Sequence, residues 1–314
     1  MQLMHITLAQ AISLLKQGEV VAIPTETVYG LAADATNDAA LRQIYAIKQR
    51  PADNPLIVHI ADSRQVTDFA MEFSPLAQKL AQTFWPGPFT LVLPAKESVS
   101  TIVRGGQPTV ALRVPSHPLT LQLLKKSGLA LAAPSANKFT QLSPTTAAHV
   151  TAGLGERMPV LDGGACKVGI ESTIVSVQGE NWQLLRLGMV PEASIDKAAG
   201  RPAIKNKQPL PKAPGQHLLH YSPNTPIQLF DSREALITFA TKAQDNCAAL
   251  LIGEGAKPNC QFVQLSADAA KAAETLYASL HALDALNVQK LLIESPPNAT
   301  EWLAILDRLN RAAH

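Results

Sequence analysis

Residues 201–226, RPAIKNKQPLPKAPGQHLLHYSPNTP, contain six prolines. Proline fixes φ and lacks an amide donor, so this stretch can be neither a helix nor a central strand. It breaks the chain into a segment 1–200, an extended linker 201–226 and a segment 227–314, in keeping with the two domains that 314 residues suggest. The break is also electrical. The formal net charge of +2 resolves into +1 for residues 1–200, +4 for 201–222 and −3 for 223–314. A plain spacer has no need of the aromatic pair His220 and Tyr221 that this one carries.

Either side of the break, the apolar pattern mixes strands with helices. Residues 6–16 and 39–48 read as helices. Residues 20–23, 56–60, 90–93, 110–114, 129–132 and 173–177 read as strands. Several strands follow one another directly, which predicts a twisted mixed α/β sheet with flanking helices rather than a βαβ repeat. Beyond the linker, apolar runs at 227–230, 248–252 and 291–293 alternate with helical faces such as Leu276, Leu280 and Leu283. That alternation predicts a small, Rossmann-like parallel α/β domain. It has no GxGxxG, so no dinucleotide is implied.

Absences narrow the chemistry. There is no P-loop, GxSxG, HExxH or protein-kinase signature. The three cysteines form no CxxC pair and the eight histidines are scattered, which argues against a zinc site and fits a reducing, cytoplasmic setting. No run of about 20 apolar residues suggests a membrane span, and the first 18 residues do not read as a signal peptide. Aromatic residues make up only 5%, too few to advertise a base-stacking surface.

Polar residues cluster instead at strand ends. Pro24 to Leu31 place two threonines, a glutamate and a tyrosine after the first strand, as a ligand site or as a turn stitched by hydroxyls. Lys48 and Arg50 complement a helix dipole or, stiffened by Pro51 and Pro55, suit a triphosphate. His59 lies on a strand, as a core residue or a ligand. Arg113 sits inside an apolar strand and needs a structural carboxylate or a substrate anion. Ser143 reads as an N-cap with Pro144 at the first helical position, or as a hydrogen-bonding group beside APSAN. The Gly163–Gly164 to Gly169 stretch suits an anion nest or a hairpin. Together these are the parts of a nucleotide-dependent transferase without a P-loop.

In order, PTETVYGL, KQRPADNPLIVHI, FWPGPFTLVL, ALRVPSHP, APSAN, GIESTIV and LLRLG resemble the YrdC-like family. The linker ending PGQHLLHYSP, followed by a small α/β domain, resembles that family's long, two-domain form, the L-threonylcarbamoyladenylate synthases. The resemblance spans nearly the whole chain. It implies an enzyme, a nucleotidyltransferase, that joins L-threonine, bicarbonate (or CO2) and ATP and releases pyrophosphate. The product serves the threonylcarbamoyladenosine (t6A) modification of tRNAs that read ANN codons, through a separate tRNA threonylcarbamoyl transferase complex. Thr27, His59, Arg113, Ala133 and Ser172 are then expected at the threonine. Lys48, Arg50, Asn54, Thr109, Ser135, Asn137, Ser143, Arg186 and Tyr221 are expected around ATP, with Lys48 and Arg50 as the catalytic pair. Mg2+ is expected with ATP, held by phosphates and water rather than a protein cage. Tyr221 is expected to close over the cleft. Ala213 stands where serine is common in the family and Gln216 where methionine is, which bears on the lid's fine geometry. The nearly neutral segment 1–200 argues that tRNA binding is weak or absent; an RNA-binding module of the same fold, without synthase activity, is the alternative. Carbamoyl transfer in hydrogenase maturation would need acylphosphatase and zinc-finger parts that this chain does not have.

Overall fold

The computed structural model describes residues 5–204, 211, 213–215, 220–242 and 246–313. Gln216 lies outside them, as does much of the proline-rich stretch. An eight-stranded sheet is built from β1 (Val21–Ile23), β2 (Gly30–Asp34), β3 (Ile57–His59), β4 (Phe89–Pro94), β5 (Thr109–Arg113), β6 (Leu131–Ala132), β7 (Thr173–Gln178) and β8 (Asn181–Arg186). Its order is β1-β2-β6-β3-β5-β4-β7-β8. The β3/β5 and β4/β7 pairs are parallel, and the other pairs are antiparallel. A second sheet holds β9 (Ile227–Phe230), β10 (Cys247–Ile252), β11 (Gln261–Leu265) and β12 (Lys290–Glu294). It is wholly parallel, in the order β11-β10-β12-β9. The mixed sheet with flanking helices and the small parallel domain are thus as the apolar pattern predicts. Among the described residues, no helix is long and apolar enough to cross a membrane.

Three strands escape the pattern. β2, sequence GLAAD, has no β-branched residue and no alternation, because four of its five residues are buried. β8 and β11 are edge strands whose polar residues break the apolar run. Local chemistry explains other boundaries. Asn37 caps helix Asp38–Lys48 by accepting from the amides of Ala39 and Ala40, and Gln49 ends it at φ 53°. That left-handed residue turns the chain so that Lys48 and Arg50 face inward, both buried. The N-cap expected at Ser143 is in fact Thr146, whose hydroxyl accepts from the amide of His149 and opens helix Ala147–Leu154. A charged acceptor claims Ser143 instead, as described below.

The two domains share one core. Val28, Leu142, Ile170 and Tyr221 pack in the same buried cluster as Leu276, Tyr277, Leu280, Trp302 and Ile305 of the C-terminal domain. Helix Ala269–Asp284 lies directly against Gly169, whose φ is +79°. A Cβ there would run into the Ala273 carbonyl and the Glu274 backbone. Gly128 has a similar φ, +72°, but open space around it. Gly169→Ala is therefore expected to destabilise the protein by clearly more than the roughly 1 kcal/mol of left-handed strain expected for Gly128→Ala. Thermal unfolding of the two variants side by side checks this, with limited proteolysis reporting whether the domains part.

Candidate active site

The sheet gathers four strand ends at one edge. β3 and β5 run parallel with His59 beside Arg113. β4 runs antiparallel to β5, and β7 runs parallel to β4, so Glu171 and Ser172, just before β7, arrive at the same edge. Arg186 ends β8 opposite Ile174. Loops after β1 and β6 add Thr25, Thr27, Ala133 and Ser135, and the linker adds Pro214, Gly215, His220 and Tyr221. The cleft they line, with its solvent-facing mouth, encloses about 550 Å³.

The threonine turn after β1 is stitched by its own hydroxyls and lines the cleft as well. Thr25 Oγ1 lies 2.8 Å from Thr27 Oγ1 and donates to the Val28 carbonyl at 2.6 Å. Arg113 finds its structural carboxylate. Its Nη2 donates to Glu26 Oε1 at 2.7 Å while both side chains are buried. Burial works against the charged form of Glu26, but Arg113 outweighs it and holds the carboxyl below its ordinary value.

Arg50 and Arg186 are different. Arg50 donates to the carbonyls of Asn54 and Pro55. Arg186 donates to the carbonyls of Ser172 and Pro214 and to the Ser172 hydroxyl. Every one of these acceptors is neutral, and no ion pair to either arginine occurs among the described residues. Burial, the main cause, lowers the Arg50 pKa to about 10 and the Arg186 pKa below its ordinary value. Two buried guanidinium groups without a direct ion pair have the charge and the donors to meet an anion.

Three side chains lining the cleft also hold buried polar atoms without a partner: His59 Nδ1, His220 Nδ1 and Tyr221 Oη. Buried polar groups are normally satisfied, so a cluster of exceptions in a cleft marks ligand contacts. His59 thus keeps one buried ring nitrogen without a hydrogen-bond partner. Burial, reinforced by Arg113, depresses its pKa to about 3 and keeps the ring neutral.

Of the residues expected at a site, Thr27, Arg50, His59, Arg113, Ala133, Ser135, Ser172, Arg186 and Tyr221 line this cleft. Lys48, Asn54, Thr109, Asn137 and Ser143 are not among its lining residues. Lys48 is buried and donates Nζ to the carbonyls of Ser135 at 2.6 Å and Asn137 at 2.5 Å, so it braces the APSAN loop. Asn54 lends its carbonyl to Arg50 and to Tyr45 Oη. Asn137 Nδ2 donates to Lys138 and Gln141 carbonyls. Thr109 opens β5, about 13 Å along the strand from Arg113. The glycine stretch is neither a nest nor a hairpin, because the Gly163 and Gly164 amides serve Tyr29 Oη and Asp162 Oδ1.

Glu171 was given no role by its sequence context, although it lines the cleft. Ser143 Oγ donates to its Oε1 at 2.6 Å, Tyr277 Oη to its Oε2 at 3.0 Å, and Arg308 Nε to its Oε2 at 2.9 Å. Two of these partners lie more than 100 residues away in the C-terminal domain, a distance at which no local signal exists. Thr25, Glu26 and Gly30 were legible as parts of a polar segment that reads as a ligand site or as a turn, without individual roles.

Comparison with known proteins agrees with this two-part organisation. The Sua5–YciO–YrdC family model, described as "Telomere recombination", matches residues 13–188. A second, described as "Threonylcarbamoyl-AMP synthase, C-terminal domain", matches residues 183–314. The threonylcarbamoyl-AMP synthase of Bacillus subtilis is 38% identical over 98% of this chain and 92% of its own length. That of Pyrococcus abyssi is 36% identical over 96% of this chain and 93% of its own. The crystal structure of P. abyssi Sua5 complexed with L-threonine superposes with a TM-score of 0.89 at 34% identity, covering 98% of this chain and 96% of that one.

The electrostatics predict an acid-sensitive fold. His59 and His149, with pKa values depressed mainly by burial to about 3 and about 4, bind protons in the unfolded chain, from about pH 6.5 downward, before they do in the folded one. Glu26 and Glu171, held below their ordinary 4.5, act in the same sense at lower pH. The midpoint of urea unfolding is expected to fall below about pH 6.5, more steeply below 4.5, and His59→Asn is expected to flatten the upper part of the fall.

Proposed function

The chain belongs to the Sua5–YrdC family in its two-domain form, and we propose that it makes threonylcarbamoyl-AMP and pyrophosphate from L-threonine, bicarbonate or CO2, and ATP. The observation that carries this reading is the pair of buried guanidinium groups, Arg50 and Arg186, whose acceptors are all neutral. Where a polyphosphate would lie, they leave positive charge that no direct ion pair among the described residues cancels. Arg113, with Nη2 engaged by Glu26 and Nε by the Gly87 carbonyl, has room for no more than a single carboxylate such as that of threonine. Thr27, His59, Ala133 and Ser172 surround it on the cleft wall. The L-threonine complex of the P. abyssi relative supports the amino-acid half of the reading.

In this mechanism, the free threonine amine adds to bicarbonate with loss of water, or to CO2 with loss of a proton to solvent, to give a carbamate. A carbamate oxygen attacks the α-phosphorus of ATP, the bond to the bridging oxygen breaks, and pyrophosphate leaves with the electron pair. No protein nucleophile is needed. The work is positioning and charge stabilisation. Arg50 and Arg186 take the developing charge on the phosphates, while Lys48 holds the Ser135 loop against the nucleotide. Neutral His59 can offer its buried Nδ1 as a hydrogen-bond partner beside the threonine. Tyr221 and Pro214 of the linker cover the cleft and keep water from the mixed anhydride.

Mg2+ would accompany ATP and shield its phosphates. Glu26 and Glu171 are each engaged by an arginine, so neither is a spare ligand. Among the described residues there is no cluster of three acidic, His or Cys side chains that suits a metal ion. The residues fit an ion held through phosphates and water. The product would pass to a separate tRNA threonylcarbamoyl transferase complex. A cytoplasmic setting accords with three cysteines that are far apart in sequence and form no CxxC pair.

Pyrophosphate release is expected only when ATP, threonine and bicarbonate are present together, and testing each amino acid in turn measures the specificity. Arg113→Ala is expected to raise the KM for threonine by at least about tenfold while changing that for ATP far less. Arg50→Ala is expected to do the reverse. Swapped effects would place the two substrates the other way round.

A further inference from the structure

No described residue beyond Tyr221 lines the cleft, yet the C-terminal domain touches three groups that shape it. Arg308 sits at the centre. It is almost wholly buried on the last helix, Leu303–Ala312, and its guanidinium is divided among four partners. Nε donates to Glu171 Oε2 at 2.9 Å, Nη1 to Asp307 Oδ2 at 2.7 Å, and Nη2 to the Leu187 carbonyl at 2.8 Å. Its Cζ lies over the Tyr221 ring, 5.1 Å from the ring centre. Tyr277, on helix Ala269–Asp284, repeats the pattern. Its hydroxyl donates to Glu171 and its ring packs against Tyr221 at 5.9 Å. His281, on the same helix, lies 3.2 Å from the carbonyl oxygen of Ser143.

Tyr221 needs such support. Its φ is +62°, a left-handed conformation that costs a non-glycine residue energy. Its hydroxyl is buried without a partner. Gly215 packs so closely on that hydroxyl that a Cβ would overlap it. The ring is held by its neighbours alone: His220 edge-on at 4.0 Å, Tyr277 and Arg308. A strained residue with an unsatisfied group, fixed by packing at a cleft, is poised to meet a ligand.

The geometry points to Arg308 and Tyr277 as positioning residues for the nucleotide half of the site: from the C-terminal domain they set Glu171 and the Tyr221 ring, and thereby the affinity for ATP. They do so without touching substrate. This assignment rests on the reading of the cleft as an ATP site. The threonine half, around Arg113 and His59, has no contact with either residue among the hydrogen bonds and ion pairs of the described residues, and is therefore expected to be spared.

The test is equilibrium binding of a non-hydrolysable ATP analogue by calorimetry, with the KM for threonine measured alongside, on the full chain. Tyr277→Phe keeps the ring and removes only the hydroxyl, so it guards against loss of folding in Arg308→Met. The analogue is expected to bind about tenfold more weakly to Tyr277→Phe and more weakly still to Arg308→Met, with Arg308→Lys intermediate and the threonine KM changed less than about twofold. Because both residues act through one carboxylate, Tyr277→Phe is expected to add little when Glu171→Gln is already present. Folded variants that bind the analogue like the parent would overturn the assignment, as would equal losses for both substrates. Failure of the unaltered protein to bind the analogue would instead overturn the ATP reading beneath it.

Discussion

The Glu171 carboxylate is the point on which the two halves of the molecule close. It is buried between domains and accepts from Ser143, Tyr277 and Arg308, so its charge is met from both sides. Burial alone would push its pKa up, but Arg308 first, then Arg186 and the Ser143 hydrogen bond, outweigh that and hold it down. A buried carboxylate so placed tolerates no loose packing, because removing one partner leaves a charge stranded in a poor dielectric. The shared apolar cluster from Val28 to Ile305 is the medium that makes this electrostatic tie strong.

From that tie, the charge distribution of the cleft follows. Two arginines, Arg113 and Arg308, neutralise the two nearby carboxylates. Two others, Arg50 and Arg186, are held on backbone carbonyls and keep their positive field. The fold thus gives Arg113 and Arg308 direct carboxylate partners and leaves Arg50 and Arg186 hydrogen-bonded to neutral groups. The neutral histidines beside them, His59 and His220, add no competing charge, since burial and the neighbouring cations depress both.

Much of this was legible from residue order, and the limits are instructive. Strand β3 and strand β5 could be read from their apolar runs, and with them the positions of His59 and Arg113. What could not be read was register, which sets those two residues side by side. Ser143 misled because Ser-Pro is a good local signal for a helix start, yet a carboxylate 28 residues away outbids the cap. Lys48 reads equally well as a dipole partner or a phosphate ligand; only the path of the APSAN loop shows that its ammonium is spent on two carbonyls. Arg308 and Tyr277 look like any residues of amphipathic helices. Their importance comes from partners 137 and 106 residues away, a long-range fact that neither spacing nor composition encodes.

The central claim is that one product unites three substrates through the α-phosphorus of ATP. The most direct test supplies threonine, bicarbonate carrying labelled carbon, and ATP labelled at the α-phosphorus, then isolates the adenylate rapidly. The account predicts a single species that carries threonine, the bicarbonate carbon and the α-phosphorus together. An adenylate with threonine joined directly to the phosphorus and no bicarbonate carbon would contradict it.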